Sequence, residues 1–299
     1  MQISNYKYIS TREVAAMLNV TETTVKRWAE RQLINCSKTI GGHRKFELKE
    51  VRDFAQKNSI PISGMTAPPL SQHQKEKLGY AIYSSNFKTI SEIFFEEALQ
   101  GDREGLLDLM IYLHKNQIQF SVIVDEIIRP AMVEIGIKWE RGELGVNQEH
   151  TASESVKLAV ARFAAQMFNQ KKKNLKVICA CVESEQHDLG IQFLFHELVR
   201  CGYEVTYMGA NTPFESLKDE IASSKPNIVF LSATSPNISQ RKIKSEIESL
   251  SRECKKLKSR LILGGIYIEK LNNKNLISTE TAFSITEAVK IIRKQKGKL

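Results

Sequence analysis

Six histidines are spread over the 299 residues, and one of them stands where it could do chemistry. The apolar run 176–182 gives way to Glu183-Ser184-Glu185-Gln186-His187-Asp188-Leu189-Gly190, after which a helical period begins. That reads as strand, loop, helix. In an open parallel sheet, ligands bind beyond the carboxyl ends of the strands, so this loop lies at the ligand edge. A histidine there, flanked by carboxylates and followed three residues later by glycine, could extend its imidazole into the crevice. A lone loop histidine is more often solvated or a helix cap, so its company matters. Two further polar or small clusters end apolar runs downstream: Ser232-Ala233-Thr234 and Gly264-Gly265. Each alone is ordinary turn chemistry. Together, at successive strand ends, they outline one binding edge.

A second group lies upstream. Trp139 offers a broad apolar plate. After nine intervening residues, Glu149 can accept hydrogen bonds and His150 can donate or accept. The plainer alternative makes Trp139 a core residue and Glu149-His150 the polar start of a helix after Gly145.

A third group points to a polyanion. Residues 1–60 hold eleven Lys and Arg against six Asp and Glu, over half of the chain's net +9. Ser10 with Glu13 has capping-box spacing, and Thr21 precedes a second helix from Glu22 to Arg31. That helix buries Val25 and Trp28 and exposes Thr23, Thr24, Lys26 and Arg27. Next, Gly41-Gly42-His43-Arg44-Lys45-Phe46 reads as a hairpin wing. Gly42 lets the backbone approach a phosphate, His43, Arg44 and Lys45 supply donors and charge, and Phe46 anchors the wing. Two short helices, a tight turn and a wing match a DNA-reading helix-turn-helix.

The elements that position these groups divide the chain into residues 1–58, a Pro/Gly-bearing linker 59–74, a helical bundle of four or five helices at 75–170, and an α/β region at 171–299. The last alternates strands with helices, which implies a parallel sheet covered on both faces. The fold class is thus multidomain, α and α/β. Five cysteines form no C-x-x-C pair, and Cys179 and Cys181 alternate along a buried strand as small hydrophobes. No run approaches the ~20 apolar residues needed to cross a bilayer, and the N-terminus lacks a signal-peptide core, so a cytoplasmic protein without membrane contact is expected.

Residues 11–15, 25–28 and 41–46 resemble the winged helix-turn-helix of the MerR family, especially its excisionase-like branch. Glu185-x-His187-x-x-Gly190 resembles the D-x-H-x-x-G signature of the cobalamin-binding domain of methionine synthase and its relatives, a flavodoxin-like (Rossmann-type) fold. That resemblance implies that His187 is the lower axial ligand of cobalt and that Glu185, one methylene longer than aspartate, bonds the ring's other nitrogen. It further implies that Asp188 and Gly190 lie with them at the cofactor, and that Ser232, Thr234, Gly264 and Gly265 line the slot for the displaced nucleotide tail. Arg129-Pro130-Ala131-Met132 is similar to the helical cap of that family. Trp139-x9-Glu149-His150 is similar to the light-sensing CarH and LitR repressors, in which these residues surround the adenosyl group. The resemblance implies adenosylcobalamin, with methylcobalamin as the other form, and double-stranded operator DNA. It also implies a homo-oligomer, dimer or tetramer, and a non-enzymatic, light-responsive repressor. Glu140 departs from the pattern. The best-studied photoreceptors carry there a histidine that ligates cobalt after photolysis, and a carboxylate is a poorer partner. Two other readings use the same residues: a corrinoid methyl-transfer shuttle, and a cofactor-independent regulator whose cobalamin fold serves protein contacts.

Overall fold

A computed structural model describes residues 8–39, 41–58, 60, 70–167, 173–273 and 279–294. Most of the expected linker and the last five residues lie outside that set. The chain forms two compact units, Met1–Pro68 with Tyr83–Ser85, and Pro69–Ile82 with Asn86–Leu299.

In the first unit, β1 (Tyr8–Ser10) leads into α1 (Thr11–Met17) and α2 (Glu22–Glu30). Strands β2 (Ser37–Lys38) and β3 (Arg44–Glu47) then precede α3 (Leu48–Lys57). The capping box at α1 is complete: Glu13 N donates to Ser10 Oγ, and Ser10 N to Glu13 Oε2 at 2.7 Å. Thr21 Oγ1 accepts from Thr24 N at 3.2 Å and starts α2. The strands pair antiparallel in the order β1-β3-β2, placing Phe46 opposite Ile9. Phe46, Val14, Val25 and Val51 are fully buried together. Trp28, expected in the core, is only half-buried, because it lies tilted against Phe54 of α3 at the core's margin, 4.9 Å between centroids. Strand β1 has no counterpart in the sequence reading. Three residues are too few to show alternation, and only pairing with β3 makes them a strand.

The second unit begins with helices α4 (Gln72–Tyr83), α5 (Phe87–Gln100) and α6 (Arg103–Lys115). Between the last two, Gly101 takes φ +70°, and Asp102 caps α6 by accepting from Glu104 N and Gly105 N. Next, α7 (Phe120–Val122) runs through a π-helical stretch, Ile123–Ile128, into α8 (Arg129–Glu140). Pro130 falls in the first turn of α8, where its missing N–H costs least. The bundle closes with α9 (Val146–Met167) over a core that includes Phe94, Met110 and the stacked pair Phe120–Phe163.

The sheet zone follows as β4 (Lys176–Cys181), α10 (Leu189–Arg200), β5 (Glu204–Gly209), α11 (Phe214–Ser224) and β6 (Ile228–Ser232). It continues with α12 (Gln240–Lys256), β7 (Arg260–Gly264), α13 (Ile266–Asn273), β8 (Glu280–Thr281) and α14 (Ile285–Lys294). The five strands are parallel in the order β5-β4-β6-β7-β8, the flavodoxin-like winding. Side chains of β4 alternate between two cores. Cys179 and Cys181 face the layer shared with the bundle, while Ile178 and Ala180 face α11 to α13. Burial pushes the Cys181 thiol up to about 12, leaving it a packing group. The last strand, expected near Phe283, is shorter and two residues earlier; only its pairing with Ile262 and Leu263 defines it. Among the described residues no helix is long and apolar enough to cross a membrane.

The turn after β7 tolerates only glycine. Gly265 has φ +95°, and a Cβ on it would lie 2.2 Å from the Ala233 carbonyl oxygen. Gly265→Ala is therefore expected to destabilise the second unit by about 2–4 kcal/mol, read as a lower denaturation midpoint at unchanged slope.

Candidate functional site

The loop after β4 is organised by one carboxylate. Glu185 is fully buried. Its Oε2 accepts from the main-chain amides of Thr234 and Ser235, both at 2.6 Å, just past the end of β6. Its Oε1 accepts from His187 N and Nδ1, both at 2.7 Å. Its own carbonyl accepts from Asn211 N, beyond the end of β5, and Asn211 Oδ1 accepts from Ser184 N. The loop is thus tied to the strands on either side of β4, at the topological switch point. A carboxylate oxygen accepts, so in the neutral imidazole Nδ1 is the donor to Glu185 and Nε2 is the nitrogen with the lone pair. The imidazole remains largely exposed, with 63% of its side chain accessible. A nitrogen ligand is held rigidly at one side and open at the other.

Beside it lies a cavity of about 300 Å³. His187, Gly190, Ser232, Thr234, Gly264 and Gly265 all line it, so six of the residues expected from sequence converge. Its deeper wall is apolar, with Leu194, Ile262 and Ala288, and its cap side is formed by Val124, Asp125, Arg129, Met132 and Val133. Gly264 has a packing reason as well: a Cβ there would meet the Ala282 carbonyl oxygen at 2.8 Å.

Five expected residues do not line this cavity, Glu185 among them because it is fully buried in the loop. Asp188 turns away, accepting from Tyr207 Oη at 3.0 Å and pairing with Lys157 Nζ at 3.2 Å. Trp139, Glu149 and His150 stand on the bundle. Helical spacing puts Trp139 on the face of Met132 and Gly136, and Met132 reaches the cavity. Trp139 is 46% exposed, so it is not a core residue. Glu149 and His150 do begin a helix, yet they bond each other, with Nδ1 to Oε2 at 2.6 Å, while Ser153 Oγ donates to Glu149. Val133 and Ile266, both lining the cavity, are exposed large apolar residues too. Such a surface suits a broad ligand with apolar faces. Among the described residues no group of three His, Cys, Asp or Glu side chains could hold a metal ion. A metal at His187 would have to bring its own equatorial ligands, as a corrin does.

Asp125 was not anticipated. It is buried within the π-helical stretch and accepts from Ile285 N at 2.8 Å and Thr286 N at 2.9 Å, capping α14. Arg129, one turn on, donates to the Phe283 carbonyl at 2.7 Å. An acid inside the apolar run Ile123-Val124-Asp125-Glu126-Ile127-Ile128 was the available signal.

In the first unit Thr23, Lys26 and Arg27 are exposed on α2, and Thr24 is partly exposed. Gly42, at φ +76°, closes the wing turn by donating from its amide to the Thr39 carbonyl at 2.8 Å, and His43 is exposed at its tip. Lys45 is partly exposed on β3. Arg44 is engaged elsewhere, paired with Glu30 of α2 at 2.9 Å, so it braces the wing against that helix.

Residues 8–59 match the family model described as a helix-turn-helix domain. Residues 91–163 match the model described as a B12 binding domain. A stretch matching a helix-turn-helix domain is thus followed, in one chain, by a stretch matching a B12 binding domain. It is 30% identical over 109 residues to the HTH-type transcriptional repressor CarH of Myxococcus xanthus, a match spanning about a third of either chain (36% of each). It is 24% identical over 236 residues to the HTH-type transcriptional repressor CarA of the same organism, covering 74% of this chain and 75% of that one. In fold, the monomethylamine corrinoid protein of Methanosarcina barkeri superimposes with a TM-score of 0.58 at 18% identity, over 70% of this chain and 99% of that one.

Replacing Glu185 by Ala would leave three main-chain amides, those of His187, Thr234 and Ser235, and the imidazole N–H without their acceptor. Expected is a loss of about 2–4 kcal/mol in the cofactor-free protein, measured by urea unfolding of the second unit.

Proposed function

We propose that this chain is a cobalamin-dependent transcription regulator that reads double-stranded operator DNA with α2 and the wing. The observation that carries the cofactor half is the Glu185–His187 pair, which leaves one imidazole nitrogen open at the mouth of an apolar-walled cavity. His187 would hold the cobalt through its open ring nitrogen. Ser232, Gly264 and Gly265 would line the slot for the cofactor's nucleotide tail. When bound, the cofactor supplies a cobalt–carbon bond that light can break. Trp139, Glu149 and His150 would hold the cofactor's organic ligand, which favours adenosylcobalamin over methylcobalamin. Glu140, directly after Trp139, offers a carboxylate, a poorer partner for cobalt than an imidazole.

The regulator is a repressor acting in the cytoplasm as a homo-oligomer. Several wing domains, each weak alone, gain affinity by linkage, so disassembly releases DNA without altering any DNA-contacting residue. Thr23, Thr24, Lys26 and Arg27 of α2 face DNA with Gly42, His43 and Lys45 of the wing, while Arg44 holds the wing's angle. A methyl-transfer shuttle would share the corrinoid fold but has no use for the first unit.

Two experiments test the two halves. Protein purified with adenosylcobalamin should show an absorbance spectrum that His187→Ala converts to a form without histidine ligation; an unchanged spectrum removes His187 as ligand. In the dark the loaded protein should retain operator DNA and release it after green light, and retention after complete photolysis would exclude the light switch. For the interface, Lys45→Ala is expected to weaken binding uniformly across sequences and lower the salt slope of log K by about one.

A further inference from the structure

Asp188 occupies the N-cap position of α10, the residue directly after His187, yet its side chain makes no cap hydrogen bond. Aspartate at an N-cap ordinarily accepts from the second or third helical amide, and that local preference is forgone here. The carboxylate is instead drawn to two distant partners. Tyr207 Oη of β5 donates to Oδ2 at 3.0 Å, and Lys157 Nζ of α9 lies 3.2 Å from Oδ1. The acid and the lysine are both shielded, with 17% and 26% of their side chains accessible. Lys157 is further held by Glu154 at 3.1 Å. Tyr207 packs on Phe195 of α10, 5.2 Å between centroids, so its hydroxyl is held in place. A local rule broken in favour of a tertiary tie marks a position where the fold spends stability on coupling.

The tie joins two parts of the site. On one side is the loop whose imidazole is oriented by Glu185. On the other is α9, whose first turn carries Glu149 and His150 about 12 Å upstream of Lys157 along the helix. We infer that Lys157 and Asp188 are positioning residues that couple the orientation of the His187 imidazole to the position of bundle helix α9. The inference rests on the reading of His187 as cobalt ligand. Cap movement at α9 pulls on the peptide following His187, and a change of ligation at His187 is felt at α9. Glu185 sets where the ring points, and Asp188 decides whether the bundle can alter it. The second bundle contact, Asp125 on α14, touches the cavity wall rather than this loop and does not substitute for it.

The test uses the full-length protein labelled with 15N-histidine, loaded with hydroxocobalamin and reduced to cob(II)alamin, whose electron paramagnetic resonance spectrum shows a protein imidazole as a doublet splitting and the cofactor's own benzimidazole as a triplet; the doublet is the nitrogen coupling counted. Lys157→Met lies on the bundle, in another element from the histidine, and should lower the nitrogen-coupled fraction by about threefold or more. Asp188→Asn should do likewise, and the double variant should fall no further than either single one. Lys157→Arg should restore most of the coupling. A wild-type fraction in Lys157→Met, or effects of the two substitutions that multiply, would overturn the tie as a coupling device. Should the unsubstituted protein show no nitrogen coupling, the His187 assignment itself fails. The tie is then judged in cofactor-free protein by amide hydrogen exchange over residues 184–190. Faster exchange in Lys157→Met supports it, and unchanged exchange overturns it.

Discussion

A buried glutamate, its carboxylate bonded to groups past β4 and β6 and its main-chain carbonyl to one past β5, is the constraint on which the second unit's site depends. Glu185 sits out of water with no lysine or arginine bonded to it. What holds it there is main-chain N–H, two amides after β6 and one from His187, together with the imidazole. Charge-assisted bonds of this kind contribute about 1.5–3 kcal/mol each, which offsets the cost of desolvating the acid. The geometry follows. Because the two amides belong to the neighbouring strand's loop, the acid cannot move without opening the sheet edge, and the imidazole inherits that rigidity.

The bundle meets this edge through polar contacts laid over a continuous apolar layer. Residues of α5, α6 and α9 share one core with α10, α14 and the Cys179 face of β4. On that layer Asp125 caps α14, Arg129 holds the turn before it, and Lys157 reaches Asp188. Apolar packing holds the two layers together, while directional polar ties choose their register. A ligand between bundle and sheet edge would therefore press on groups whose partners are already specified.

The first unit shows the same division of labour at smaller scale. Phe46 and Val25 build its core, and the wing's angle is set by Arg44 on Glu30. Counting positive charge from sequence assigned Arg44 to DNA along with Lys45. Strand alternation separates Arg44 from its neighbour, and the carboxylate of Glu30 is what engages it. A charge count cannot see an acid fourteen residues earlier in another element.

Much of the architecture was legible because it is local. Capping residues Ser10 and Thr21, the positive-φ glycines, and the change from a helical to a strand-and-helix pattern after residue 170 are each decided within a few residues. The E-x-H-x-x-G spacing was legible for the same reason: loop length alone lets Glu185 Oε1 reach the ring it orients. By itself, the sequence determined the order of elements, the wing, and a histidine with its acid at the ligand edge. Only the tertiary structure decided that Glu185 is anchored by amides some fifty residues away, that Asp188 serves Lys157 and Tyr207 instead of its own helix, and that Asp125 caps α14. Those choices depend on which chain segments meet in space. A side chain with several possible partners is settled by the partner that packing places within hydrogen-bond reach.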